Sequence, residues 1–238
     1  MIDPLRDLDS VRKATDRLLA AAASMEDSRA AEPSLLPGWS RRHVLAHISR
    51  NADALVNVLE GRPMYASAEA RDADIERDAS RPLAVQLADV RDSAARLQAA
   101  GAAFADWNRT VELRNGVRDA AARIPFRRLA EVELHHVDLG LGYELEDLPE
   151  EFTGREIAML AERFTGNANV PPTRLVATGE AAGDVSGDVS GEWRTGGTEG
   201  DPVTVSGPAP ALLGWLSGRR EGTALETAGA PLPALPPL

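Results

Sequence analysis

Residues 130–140 read AEVELHHVDLG, and the way this stretch is read decides the first half of the chain. Ile124, Phe126, Leu129, Val132, Leu134 and Val137 recur at the three-four spacing of a buried helix. Pro125 suits its first turn, and Gly140 and Gly142 suit its end. Set into this apolar background, Arg128, Glu131, His135 and Asp138 fall on one shared face. Spacing alone allows that face to be merely solvated. Histidine usage argues otherwise: the chain has only 4 histidines. Two, His135 and His136, lie here, and the others, His43 and His47, lie in a second helical stretch, RRHVLAHISRN.

Residues four apart on a helix stand one above the other, with about 6 Å between their Cβ atoms. Glu131 and His135 can therefore share one ion. A third ligand must come from another element, and His47 is the natural candidate. Two histidines and a carboxylate leave coordination positions open, as catalytic zinc sites do. The same set also suits ferrous iron. His43 and His47 are four apart as well, so His43, His47 and His135 form an alternative set. His136 is turned about 100° from His135. As a lone histidine on an apolar face, His43 otherwise reads as a hydrogen-bonded core residue. Asp138 reads either as a partner orienting His135 or as a solvated carboxylate.

The chain has 238 residues, enough for one large or two modest domains. Abundant alanine and scarce aromatics favour close-packed helices. The net charge of −11 leaves no basic stripe for nucleic acid. There is no cysteine, which excludes disulfides and thiolate ligands, so any catalytic thiol must come from outside the protein. The N-terminus lacks an apolar signal core, and no run approaches the roughly 20 apolar residues of a membrane span. The expectation is a soluble cytoplasmic protein.

In chain order, residues 3–25 predict a first helix capped by Asp3, with Pro4 in its first turn. Ser40 caps a second helix reaching about Leu59. Residues 61–82 read as a loop with a short helix. A third long helix follows Pro82 and breaks near Gly101 or Trp107, and residues 108–123 read as a loop or short turn. With the helix ending before Gly140, this makes a four-helix bundle. The acidic stretch YELEDLPEE (143–151) reads as a linker, placing the domains at 1–147 and 148–238. Beyond it come a helix over 152–166, strands in TRLVATG and PVTVSG, and a helix in APALLGWLSGRR. The tail, GAPLPALPPL, is proline-rich. Between the strands lies a glycine-rich insert with a tandem GDVS, expected as a hairpin tip or solvated loop. The predicted class is α+β: a four-helix bundle followed by a small α+β domain.

The segments LLPGWSRRHVLAHISRNADAL (35–55), RPMYASAEARDADI (62–75), AEVELHHVDLG, VTVSG (203–207) and SGR (217–219) together resemble the mycothiol-dependent maleylpyruvate isomerases. The likeness runs in order over nearly the whole chain. The second-helix segment and E-x-x-x-H-x-V-D-L-G are shared with the wider DinB-like metal-binding bundles. PMY-x-S-x-EAR and SGR are more specific to the isomerase branch, and the GDVS insert lies outside the family pattern. The resemblance implies a zinc-carrying DinB-like bundle and a sterol-carrier-like α+β domain. It places the metal ligands on His47, Glu131 and His135 and a functional arginine on Arg219, with Arg220 as its immediate neighbour.

The reaction implied is cis-to-trans isomerisation of 3-maleylpyruvate to 3-fumarylpyruvate in gentisate-type aromatic breakdown. A double bond does not rotate at useful rates, so a nucleophile must add, allow rotation and leave. A thiolate suits that task. With no cysteine in the chain, the thiol is a cofactor, mycothiol, whose pKa a zinc ion at the three ligands can lower. Arg219 can clamp a carboxylate of the dicarboxylate substrate. Two other classes stay open: a mycothiol S-transferase or other thiol-dependent detoxification enzyme, and a non-enzymatic metal-binding regulator. Zinc regulators usually hold their metal with cysteine, which counts against the last.

Overall fold

The computed structural model describes residues 2–179 and 191–237. The chain forms two compact units, Met1–Tyr143 and Glu144–Leu238.

The first unit is helical. Helix α1 (Pro4–Ala23) begins where the Asp3 side chain accepts the backbone N–H groups of Leu5 and Arg6, and it buries Leu8, Val11, Leu18 and Ala22. A single turn, α2 (Asp27–Ala30), precedes α3 (Arg41–Leu59). Next come α4 (Ala68–Ala79), α5 (Leu83–Ala103) and α6 (Ile124–Asp138). Helices α1, α5, α3 and α6 pack in a ring, each against the next, with α4 laid on α3. This is the expected four-helix bundle. Its interior is aliphatic, with Leu18, Leu45, Ile48, Leu97 and Ile124 among the fully buried side chains.

Helix α5 ends at Ala103, between Gly101 and Trp107, as expected. A Cβ on Gly101 would stand 2.7 Å from the Leu8 side chain, so this glycine permits close approach of α1. Residues 108–123 are not a plain loop. They hold a small antiparallel hairpin of β1 (Thr110–Glu112) and β2 (Arg118–Ala120). Its tip carries Asn115 and Gly116, both at positive φ (60° and 72°), the backbone that an Asn-Gly pair favours.

The second unit opens with α7 (Glu150–Phe164), whose buried face carries Phe152, Ile157, Leu160 and Phe164. A three-stranded sheet follows, ordered β4-β3-β5. Strand β3 (Thr173–Thr178) pairs antiparallel with β4 (Glu192–Thr195) and parallel with β5 (Val203–Pro208). Strand β4 corrects the reading of the glycine-rich insert (179–200) as loop throughout, since its residues 192–195 join the sheet. The tandem GDVS lies outside the described residues. Helix α8 (Ala209–Leu216) is almost wholly apolar and buried, as a helix laid on a sheet should be. Part of the tail packs beside it: Pro233 is buried, and Trp215 and Leu216 line a pocket together with residues 232–237. Among the described residues, no helix is long and apolar enough to cross a membrane.

Candidate metal centre

Helix α3 contributes His47 and α6 contributes Glu131 and His135. Their ligand atoms all lie within 4.8 Å of one another. His47 Nε2 stands 2.9 Å and His135 Nε2 3.3 Å from the same atom, Glu131 Oε2. The two imidazole rings meet edge to face with centroids 4.7 Å apart. Both Nε2 atoms converge on one carboxylate oxygen, an arrangement that one small cation can take over.

The supports behind the ligands follow from local sequence. Asp138, one turn beyond His135, is buried, and its Oδ2 lies 2.7 Å from His135 Nδ1. That carboxylate keeps the ring proton on Nδ1 and leaves the Nε2 lone pair for a metal. Asp138 is thus an orienting partner, not a solvated carboxylate. The C-terminal end of α6 is itself pinned. Leu35 donates its N–H to the Asp138 carbonyl at 2.8 Å, and Arg41 donates Nε–H to the Leu139 carbonyl at 2.8 Å. Arg128, fully buried one turn before Glu131, donates to the Ile48 carbonyl at 2.8 Å and to Asn51 Oδ1 at 2.9 Å. It therefore ties α6 to α3 within a turn of His47. Burial pushes the Arg128 guanidinium down to about 10, so it stays charged at neutral pH.

Electrostatics favour a cation between the three ligands. Burial pushes the Glu131 carboxyl up, but hydrogen bonds from His135 and His47 outweigh it and hold the group well below the carboxylate range. Burial lowers His47 despite its bond to Glu131, which favours the neutral, metal-binding ring. For His135, burial is outweighed by Asp138 and then Glu131, and the ring is raised.

The other two histidines are used elsewhere. His43 closes the start of α3: its Nδ1 accepts the Ser40 N–H at 3.2 Å and lies 2.7 Å from Ser40 Oγ. Its Nε2 lies 3.3 Å from Glu76 Oε2, and the cluster of converging ligand atoms holds His47, Glu131 and His135 and not His43. His136 is buried and stacks on Tyr143, centroids 4.0 Å apart.

Residues 11–140 match the family domain described as "Mycothiol maleylpyruvate isomerase N-terminal domain". The chain belongs to the mycothiol maleylpyruvate isomerase family. Residues 147–237 match the MDMPI C-terminal domain. Two solved structures share the fold: the crystal structure of the mycothiol-dependent maleylpyruvate isomerase and that of a histidine-to-alanine mutant of it. Each is 24% identical, with a TM-score of 0.85 over 99% of this chain and 97% of its own. No curated protein matches the chain.

In this member of the family, Arg219 sits in the second unit just past α8. Gly218 takes φ +71° there, its N–H bonds the Trp215 carbonyl at 3.1 Å, and the Arg219 N–H bonds the Gly214 carbonyl at 2.8 Å. This left-handed helix ending gives the Ser-Gly-Arg segment its physical meaning: Gly218 makes the turn, and Arg219, half-buried, follows it with Nη1 3.4 Å from the Ser217 carbonyl. Arg220 is committed elsewhere, its two terminal nitrogens on the two oxygens of Glu146 at 2.5 and 2.7 Å.

Two side chains beside His47 escaped the sequence reading. Trp39 lies over it with ring centroids 5.5 Å apart. Arg71 on α4 brings Nη2 to 3.3 Å from His47 Nδ1. The signal was present in the PGW and EAR segments, but only the packing of a loop and of α4 onto α3 brings them to the histidine.

Proposed function

We propose that the chain is a mycothiol-dependent maleylpyruvate isomerase acting in the cytoplasm, where small thiols are kept reduced. It would convert 3-maleylpyruvate to 3-fumarylpyruvate in gentisate-type catabolism. The observation that carries this reading is the convergence of His47, Glu131 and His135 on one point, with Asp138 fixing the tautomer of His135. In a chain without cysteine, such a site must borrow its thiol.

The donor set fits a divalent ion such as zinc: two imidazoles, one ionised carboxylate and open positions. What zinc and mycothiol supply when bound is a thiolate at neutral pH, a strong nucleophile and a good leaving group for adding to and departing from a double bond. The protein's own residues do the rest. His47, Glu131 and His135 hold the ion, and Asp138 keeps His135 aimed. Arg219 clamps a substrate carboxylate with its forked donors.

The test measures bound zinc and maleylpyruvate turnover, with and without mycothiol. Glu131→Ala should lose zinc and at least about a hundredfold in turnover. Arg219→Ala should keep zinc and lose about 10- to 100-fold in kcat/KM. A metal-stripped wild type that still isomerises would sink the proposal. Zinc-loaded wild type that transfers mycothiol to an electrophile but leaves maleylpyruvate untouched would make it a transferase.

A further inference from the structure

The two histidine ligands are backed differently. Behind His135 stands a carboxylate, Asp138, which accepts the Nδ1 proton at 2.7 Å. Behind His47 stands a guanidinium: Arg71 Nη2 lies 3.3 Å from Nδ1. A histidine that ligates through Nε2 carries its proton on Nδ1 and seeks an acceptor there. Arginine has five donors and no acceptor. Arg71 therefore cannot serve His47 as Asp138 serves His135, because two donors would face each other across that gap.

What else holds Arg71 does not use up its donors. Ser67 caps α4 through the Ala70 N–H at 3.1 Å, fixing the first turn from which Arg71 projects. Arg71 Nη1 pairs with Asp72 at 2.6 Å, but that carboxylate is 64% exposed and water competes for it. The guanidinium also hydrogen-bonds the Tyr65 side chain, its carbon 6.0 Å from the ring centre, and the Arg71 side chain is only 14% exposed. A forked cation in a largely dry corner between a metal ligand and an aromatic ring is matched by an oxyanion, and for a dicarboxylate substrate that oxyanion is a carboxylate.

We infer that Arg71 is a substrate-binding residue, taking one carboxylate of a dicarboxylate substrate beside the metal. The identity of that substrate rests on the isomerase reading, while the carboxylate role rests on the contrast between Arg71 and Asp138.

The experiment titrates the full-length protein with zinc, by competition with a chromophoric chelator, and titrates the zinc-loaded protein with maleate by calorimetry. Arg71→Met should bind zinc no more weakly than wild type, since a neighbouring cation opposes a dication. It should bind maleate at least about tenfold more weakly, because a charged, forked contact is gone. Arg71→Lys keeps the charge without the fork. It should retain zinc and lose maleate affinity by a smaller factor, and it serves alone if the methionine variant does not fold. Zinc affinity falling tenfold or more in Arg71→Met would make Arg71 an orienting partner of His47 and overturn the inference. Unchanged maleate affinity in either variant overturns it as well. The outcomes separate from those for the isomerase reading. A wild type that binds maleate through Arg71 yet never turns over maleylpyruvate sinks the reading and leaves the binding role. Turnover with an Arg71-independent KM does the reverse.

Discussion

At the scale of single residues, the candidate metal centre is shaped by what stands behind each of its three side chains. Asp138 Oδ2 sits 2.7 Å from His135 Nδ1 inside the bundle. Asp138→Asn keeps the shape but removes the charge that holds the ring proton. Zinc affinity should fall about 10- to 100-fold, as chelator competition can measure. An unchanged affinity would mean that packing alone orients His135. Glu131 and His135 were legible in the sequence because spacing on one helix is a purely local property, and His47 because histidine is rare. His43 and Asp138 were not, since each had two readings that only burial separates. Asp138 is 1% exposed, while His43 is spent on Ser40. Trp39 and Arg71 touch His47 only through tertiary packing, to which no periodicity points.

At the scale of elements, the end of a helix sets the course of the residue after it. Helix α8 ends through Gly218 at φ +71°, and the residue that follows this turn is Arg219. A β-branched side chain is strained in this region and asparagine much less so. Gly218→Val should cost about 1–2 kcal/mol in chemical denaturation and Gly218→Asn a smaller part of that. The valine variant should also lose turnover while keeping its zinc, because Arg219 is re-aimed. Equal costs for the two substitutions would show that the turn does not depend on its left-handed glycine. The long helices were readable because amphipathic periodicity persists over several turns. The hairpin of β1 and β2 was missed because three-residue strands are too short to show alternation, although Asn115-Gly116 was a turn signal in plain view. What the sequence could not show of Gly101 is that it answers to Leu8 on another helix.

At the scale of the whole molecule, 37 acidic residues face 26 basic ones. The response to acid depends on which carboxylates are held ionised. Asp9 is lowered by hydrogen bonds from Lys13 and Arg12, Glu146 by Arg220 and Glu192 by Arg174. A carboxyl whose folded pKa is depressed binds its proton more weakly folded than unfolded. Its stabilisation is complete above the unfolded value and is lost as pH falls through the folded one. These three groups therefore all favour the folded chain at neutral pH and release that support in acid. The Arg220–Glu146 pair isolates the effect. Its side chains are 37% and 54% exposed, so solvent screening keeps the contribution below about 1 kcal/mol. Arg220→Ala should be less stable than wild type by that small amount at neutral pH. The gap should hold down to the ordinary glutamate value of 4.5, then close as the pH falls through the depressed value. Taking the difference between the two proteins cancels every other titration, including that of the histidines. Added salt should shrink the gap at neutral pH. Arg220 has one other way to stabilise the fold: a Cβ on Gly214 would meet its Cγ and Cδ at 2.9 Å, so its stem packs closely against α8. Packing does not titrate. A gap that persists undiminished at about pH 2 would assign the contribution of Arg220 to that stem and not to its charge.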